Sequence, residues 1–176
     1  DDDLTEMVDG LTDDPDALLA PYRDRLDGSD GPAAAGWVAC AIGSDRVFGV
    51  PAARHAEYRH SHNAETWMYR FSWDSRAFDG LFGAAHALEI PFTFNTVTRP
   101  GVDTFLGPGE TPTALAEAIH DAWIAFIRDG DPSTAALGDW PRYTPDDRLV
   151  MNLDDQCGLL TDPRPAERSV WKHLIR

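Results

Sequence analysis

The chain has 176 residues, enough for one domain with a sizeable core or for part of a larger one. Thirty acidic residues against fifteen Lys plus Arg give a formal charge of −15. Such a surface repels phosphate backbones and anionic membranes, which argues against nucleic acid or a membrane as partner and reads as a solubility and salt adaptation.

The chain opens Asp1-Asp2-Asp3, with no initiator Met and no apolar signal region, and reads as a fragment, a processed chain or a trimmed one. Asp14-Pro15 predicts a helix start, with Asp14 as N-cap, Pro15 in the first turn, and Leu18, Leu19, Tyr22 and Leu26 at helical spacing. Gly28 to Pro32 predicts a loop, and a second helical region runs from about Ala33 to His60, broken or kinked at Pro51. Thr66 to Trp73 predicts a strand, because Trp67, Tyr69, Phe71 and Trp73 alternate with period two. Asp74 to Gly83 and Arg99 to Gly109 read as loops around the Pro-interrupted apolar run Ile90 to Phe94. The clearest element is a helix over Pro112 to Asp129, capped by Thr111 and stopped by Gly130, with Leu115, Ile119, Ala122, Trp123, Phe126 and Ile127 as its apolar stripe. A short strand at Arg148 to Leu153 and a last helix from Pro165 complete the chain. Two strands among about five helical segments make a thin sheet, a hint of a larger α/β fold.

The residues offer limited chemistry on their own. No glycine-rich phosphate loop and no G-x-S-x-G is present, and none of the serines sits in a strand-turn-helix elbow. His55, His60 and His62 are spaced H-x4-H-x-H, which does not match ligands on one helical face, so they read as solvated surface. His120 reads as structural and His173 as a helix-end cation. Cys40 and Cys157 form no CxxC; two free buried thiols in a reducing cytosol is the simpler reading, and places the chain in the cytoplasm rather than outside the cell. His86 stands apart. It follows Gly83-Ala84-Ala85 just beyond a strand and a loop, and imidazole is the natural general base near neutral pH. His86 and Glu89 also form an i, i+3 pair that could bind a metal or fix the turn, and the residues alone leave these readings open.

The strand Trp67-Met68-Tyr69-Arg70-Phe71 and the run Gly83-Ala84-Ala85-His86-Ala87-Leu88-Glu89-Ile90-Pro91-Phe92-Thr93-Phe94 resemble the final third of type-B carboxylesterases. The likeness is to bacterial para-nitrobenzyl esterases and, more distantly, to cholinesterases. It continues through Ala122 to Phe126, Gly130-Asp131-Pro132, Trp140-Pro141-x-Tyr143 and Asp162-Pro163. Order and spacing fit from about residue 45 to residue 171, while residues 1–44 resemble the family's variable helical region only loosely.

The resemblance implies the C-terminal portion of an α/β-hydrolase fold: an incomplete sheet with flanking helices over residues 1–176. It implies hydrolysis of a small-molecule carboxylic ester through a serine-bound acyl intermediate, with no cofactor and no metal. His86 matches the family's catalytic histidine, the last member of a triad ordered Ser, Asp/Glu, His. Serine, oxyanion donors and acid are then expected upstream of Asp1, Asp1 to Asp3 being poor substitutes for the acid. The isolated chain is accordingly expected to be inactive, and to need the missing N-terminal part of the same domain to cover Trp67, Phe71 and Trp123. Glu89 matches a family glutamate and reads as a carboxylate that ties the loop. The alternatives are a non-catalytic binding remnant of the same fold and a metal-binding helical domain built on the histidines.

Overall fold

The computed structural model describes residues 2–26 and 33–174. Two compact units divide it: one formed by Asp1–His62 with Pro163–Arg176, the other by Asn63–Asp162.

The first unit is helical. It contains α1 (Asp2–Asp9), α2 (Pro15–Leu26), α3 (Ala33–Ser44), α4 (Val50–Ser61), α8 (Pro165–Val170) and a 3₁₀ turn at Trp171–His173. The Ala17 amide donates to Asp14 Oδ1 at 3.1 Å, so Asp14 caps α2 as expected. The loop expected at Gly28 to Pro32 lies outside the described residues. Leu4, Val8, Leu18, Leu19, Tyr22, Val38, Ile42, Val50 and Trp171 form the core. A polar cluster is buried with them. Tyr22 donates to Asp45 Oδ2 at 2.8 Å and accepts from Trp171 Nε1, Arg164 stands 3.9 Å from Asp45, and Arg25 pairs with Glu167. Burial pushes the Asp45 carboxyl and the Tyr22 hydroxyl up, and pushes the Arg164 guanidinium down.

Between α3 and α4 the chain does not break. Asp45–Gly49 forms a π turn in which the Val50 amide reaches back to the Asp45 carbonyl. Pro51 explains it: in an unbroken α-helix its ring would strike the carbonyl four residues earlier, which would also lose its donor. The wider turn relieves both conflicts and lets α3 run into α4.

The second unit is a three-stranded sheet with helices. β1 (Tyr69–Phe71) runs parallel to β2 (Leu149–Leu153), and β2 pairs antiparallel with β3 (Gly158–Thr161), in the order β1-β2-β3. The predicted strand over Thr66 to Trp73 therefore narrows to Tyr69–Phe71, although the Met151 amide to the Met68 carbonyl and the Ser72 amide to the Leu153 carbonyl extend its ladder by one residue each way. β3 is a strand beyond the two expected. Gly158 and a run of only four residues gave its pattern no useful length.

The period-two aromatic stripe packs against α5 (Ile90–Thr93) and α7 (Thr113–Asp129). Trp67 meets Phe126, Tyr69 meets Trp123, and Phe71 and Trp73 both meet Phe92, with ring centroids 5.0–5.5 Å apart. Trp67, Phe71 and Trp123 find these partners inside this unit and are half-buried. Trp67 Nε1 donates to the Trp140 carbonyl at 2.9 Å, and Trp140 Nε1 to the Met68 carbonyl at 3.2 Å, which straps Trp140 along β1.

On α7, Leu115, Ala116, Ile119, Ala122 and Ala125 are buried, whereas Phe126 and Ile127 are exposed at 46% and 75%, so the stripe is turned from the expected one toward the small residues. Pro112, not Thr111, stands at its N-cap and no side chain caps it; Thr111 serves through its carbonyl, which accepts from Thr113 at 2.8 Å. Gly130 ends the helix in the left-handed region at φ 76°, as expected. Among the described residues no helix is long and apolar enough to cross a membrane.

Candidate active site on the loop after strand β1

β1 and β2 are parallel, and a ligand in an open α/β sheet sits beyond the carboxyl ends of such strands. The segment leaving that end of β1 is Ser72 to Glu89. It is held at one buried knot. The Ser75 amide donates to the Gly83 carbonyl at 3.1 Å and closes the 75–83 loop. The Ser75 hydroxyl donates to the Phe105 carbonyl at 2.5 Å and accepts from the Ala77 amide at 3.0 Å. The Arg76 amide donates to the Leu106 carbonyl at 2.9 Å.

These bonds fasten the loop to α6 (Asp103–Leu106), a helical turn inside the stretch expected to be irregular. Gly107 makes the approach possible. A Cβ there would lie 2.1 Å from the Ala77 nitrogen, and its φ is +80°, so only glycine fits. Arg76 then lays its guanidinium over Trp73, 5.5 Å from the ring centre, and donates to the Glu110 carbonyl.

From this clamp the chain passes through Gly83 to a tight turn carrying His86. The Leu88 amide donates to the Ala85 carbonyl at 3.1 Å, the Ile90 amide to the Ala87 carbonyl at 3.3 Å, and Ala87 takes φ +68°. Leu88 is buried below the turn and Phe92 follows it into the core, while His86 itself is exposed. His86 therefore sits in a turn of the loop after β1 and not in a helix. Glu89 is half-buried; burial first, then the Glu89 charge, pushes the Tyr69 hydroxyl up.

The other histidines do other work. His120 Nδ1 donates to the Thr93 carbonyl at 2.9 Å and joins α7 to α5, a structural role as expected. His55, His60 and His62 are exposed on and after α4. His62 Nδ1 lies 3.0 Å from Ser61 Oγ, a pair that resembles a nucleophile and base, but the Ser61 proton goes to the Tyr58 carbonyl at 2.7 Å. The side chain of His173 lies outside the described residues. Among the described residues no three His, Cys, Asp or Glu side chains gather as metal ligands would. Both cysteines are free; Cys40 is exposed and Cys157 half-buried, so the expectation of two buried thiols holds for neither in full.

Ser75 is the loop-bracing position the residues alone did not single out. It carries no elbow pattern, and its value lies in partners thirty residues away. The Gly107-Pro108-Gly109 run was the available signal of a close backbone approach.

The model of the carboxylesterase family matches residues 11–171. The chain belongs to the carboxylesterase family. It is 35% identical over 127 residues to a para-nitrobenzyl esterase of Bacillus subtilis, covering 71% of this chain and 25% of that protein. It is 39% identical over 92 residues to a phenmedipham hydrolase of Pseudarthrobacter oxydans, covering 50% of this chain and 18% of that protein. Among solved structures, a carboxylesterase of Geobacillus stearothermophilus matches with a TM-score of 0.77 and 30% identity, over 96% of this chain and 34% of the other. A para-nitrobenzyl esterase structure matches with a TM-score of 0.68 and 28% identity, over 90% of this chain and 33% of the other. This carboxylesterase chain therefore spans a quarter or less of the length of the two relatives and about a third of the solved chains. Its partial sheet and flanking helices belong to the α/β-hydrolase fold.

Proposed function

We propose that this carboxylesterase chain is the C-terminal part of a serine esterase and supplies its general base, His86. The observation that carries the reading is the placement of His86: exposed, on a braced turn, in the loop that leaves the carboxyl end of a parallel strand. The serine, the oxyanion donors and the triad acid belong to the remainder of the domain, which precedes this chain. β1 stands at the edge of the described sheet, and the open backbone groups of an edge strand give a further strand of such a remainder a place to pair.

In that assembly His86 takes the serine proton as the hydroxyl attacks the ester carbonyl, then gives it to the departing alcohol. A water, deprotonated by the same imidazole, releases the acid. The upstream carboxylate orients the other ring nitrogen. Glu89, whose charge is felt at Tyr69 of β1, is read as a carboxylate that fixes the loop and not as the triad acid. The substrate is a small-molecule carboxylic ester, in keeping with the relatives named for para-nitrobenzyl esters and phenmedipham. Two free thiols suit a reducing compartment.

The test is esterase turnover on a p-nitrophenyl ester by the full-length parent and by its His86→Ala variant. Loss of several orders of magnitude in kcat supports the assignment. A parent that hydrolyses the ester equally well without His86 overturns it. A parent inert to every ester leaves the non-catalytic binding protein of the same fold as the answer.

A further inference from the structure

Ser75 and Glu167 are the buried polar residues among the described ones, and Ser75, at 1% exposure, belongs to the loop that leads to His86. Its amide donates to the Gly83 carbonyl at 3.1 Å, its hydroxyl donates to the Phe105 carbonyl at 2.5 Å, and the same oxygen accepts from the Ala77 amide at 3.0 Å. A proton committed to a buried carbonyl does not belong to a nucleophile, so the esterase mechanism leaves this hydroxyl without a chemical role.

Between Ser75 and the buried Leu88 the chain takes a costly path. Phe78, Asp79 and Ala87 lie in the left-handed region at φ 55°, 56° and 68°, and Gly80 and Gly83 lie there at 84° and 56°. Non-glycine residues resist that conformation, and it persists only where the surroundings over-determine it. Here the two ends are fixed. Leu88 and Phe92 are sunk in the core at one end, and Ser75 holds the Gly83 carbonyl at the other. His86 lies three residues after Gly83 and two before Leu88, so these anchors set where its ring stands.

The bond from Ser75 to Gly83 uses backbone alone, and any residue but proline could make it. The hydroxyl is what serine adds. It is short enough to accept from the Ala77 amide while it donates to α6, and it thereby fixes residue 75 itself. We propose that Ser75 is a positioning residue for His86: its hydroxyl pins the root of the loop to α6 and so sets the imidazole in reach of the serine of the remaining domain. It acts through the backbone and not by contact with the ester. The proposal rests on the esterase reading. Proton transfer tolerates little displacement, and a misplacement of about 1 Å lowers the rate by about a hundredfold.

The experiment uses the full-length enzyme and p-nitrophenyl acetate, at a temperature where circular dichroism shows each variant folded. Ser75→Ala should lower kcat by about tenfold to a hundredfold with KM within about twofold. The acid limb of its kcat/KM profile should move to lower pH, because an imidazole drawn away from its carboxylate partner becomes less basic. Ser75→Thr keeps the hydroxyl and should recover kcat to within about threefold. Ser75→Cys, a near match in size with a weak donor, should fall between serine and alanine, and it carries the comparison if either other variant does not fold. Trp140→Phe removes the hydrogen bond from Trp140 to the Met68 carbonyl in the same unit; it should lower Tm yet leave kcat within about twofold. A Ser75→Ala enzyme with reduced Tm and unchanged kcat makes Ser75 purely structural and overturns the proposal. So does a kcat loss that Trp140→Phe matches, or one that neither Ser75→Thr nor Ser75→Cys relieves. If the unmodified enzyme is inert to the ester, or keeps its rate without His86, the esterase reading fails and takes this inference with it. If His86→Ala is inactive and Ser75→Ala is not slowed, this inference alone fails.

Discussion

The Ser75 hydroxyl donates to the Phe105 carbonyl at 2.5 Å, thirty residues away in the chain. Through that bond the loop leaving β1 and the turn of α6 become one rigid piece. The same hydroxyl accepts from the Ala77 amide, so it satisfies two backbone groups of a buried crossing. His86 is displayed by a turn whose root is this crossing.

Replacing Ser75 by Ala leaves the Ala77 amide and the Phe105 carbonyl without that partner. A buried polar group left unmatched costs about 1–3 kcal/mol, so Ser75→Ala should lower the urea midpoint by that equivalent with little change in m-value. A midpoint equal to wild type would show that the crossing holds without it.

Gly107→Ala should be more severe. The added Cβ meets backbone atoms of Arg76 and Ala77 at 2.2 Å and 2.1 Å, and neither can step aside as a side chain could. Gly80→Ala is the control, since Gly80 has φ +84° and nothing within 4 Å of its Cβ position. The control should cost about 1–2 kcal/mol from the left-handed backbone alone, and Gly107→Ala should cost more than about 3 kcal/mol. Equal midpoints for the two variants would remove the steric argument.

Glu89→Gln separates tying from catalysis. If Glu89 only holds the turn against β1, the substitution should lower kcat of the full-length enzyme by about tenfold or less, whereas His86→Ala removes about three or more orders of magnitude. Comparable losses from the two would make Glu89 part of the proton relay. Circular dichroism of both variants should match wild type, because His86 is exposed and Glu89 half-buried at the surface.

The buried cluster in the helical unit gives a pH signature. Burial raises the Asp45 carboxyl, against the opposing influence of the Tyr22 hydrogen bond and Arg164. A carboxyl whose folded value lies above its unfolded value stabilises the fold when protonated. That contribution is complete below the unfolded value and is lost as pH climbs through the raised folded value. Asp45→Asn abolishes the titration, so its Tm relative to wild type should rise as pH climbs from the ordinary carboxylate range through the raised folded value. A Tm difference that is constant over that range counts against the buried-carboxylate account.

The two thiols should separate by rate. Cys40 is exposed, while burial pushes the half-buried Cys157 thiol up, ahead of the lesser effects of Asp154 and Asp155. An aromatic disulfide reagent at neutral pH should consume one equivalent quickly, and the second should follow only slowly or on unfolding. Loss of the fast phase in Cys40→Ser assigns it; persistence of that phase reverses the assignment.

Much of this architecture was legible in the residues. The aromatic alternation from Trp67 to Trp73 announced β1, Asp14-Pro15 announced α2, and Gly130 marked the end of α7. Each is a local signal, decided by sterics or burial within a few positions. What escaped was decided at long range. β3 exists because β2 offers it a ladder, and α7, whose main packing partner is α5, buries Ala116 and Ala125 in place of the larger Phe126 and Ile127. His86 could be picked out by its neighbours and by family likeness, yet the clamp beneath it involved Ser75, Phe105 and Gly107, which no spacing rule connects.

The π turn at Asp45–Gly49 holds one residue more than an α-helical turn would. Deleting any one of the five would put Pro51 back into an unbroken α-helix, with its ring against the carbonyl four residues earlier, and would change the phase of the second half against the first. Every side chain on one half would swing by about 100° relative to the other. Val50 and Ala56 would leave the positions they now fill, while Val38 and Ile42 stayed in theirs. The extra residue thus acts as a phase-setting insertion: it lets a single continuous helix present two apolar faces that an uninterrupted 3.6-residue repeat could not bring into the same core.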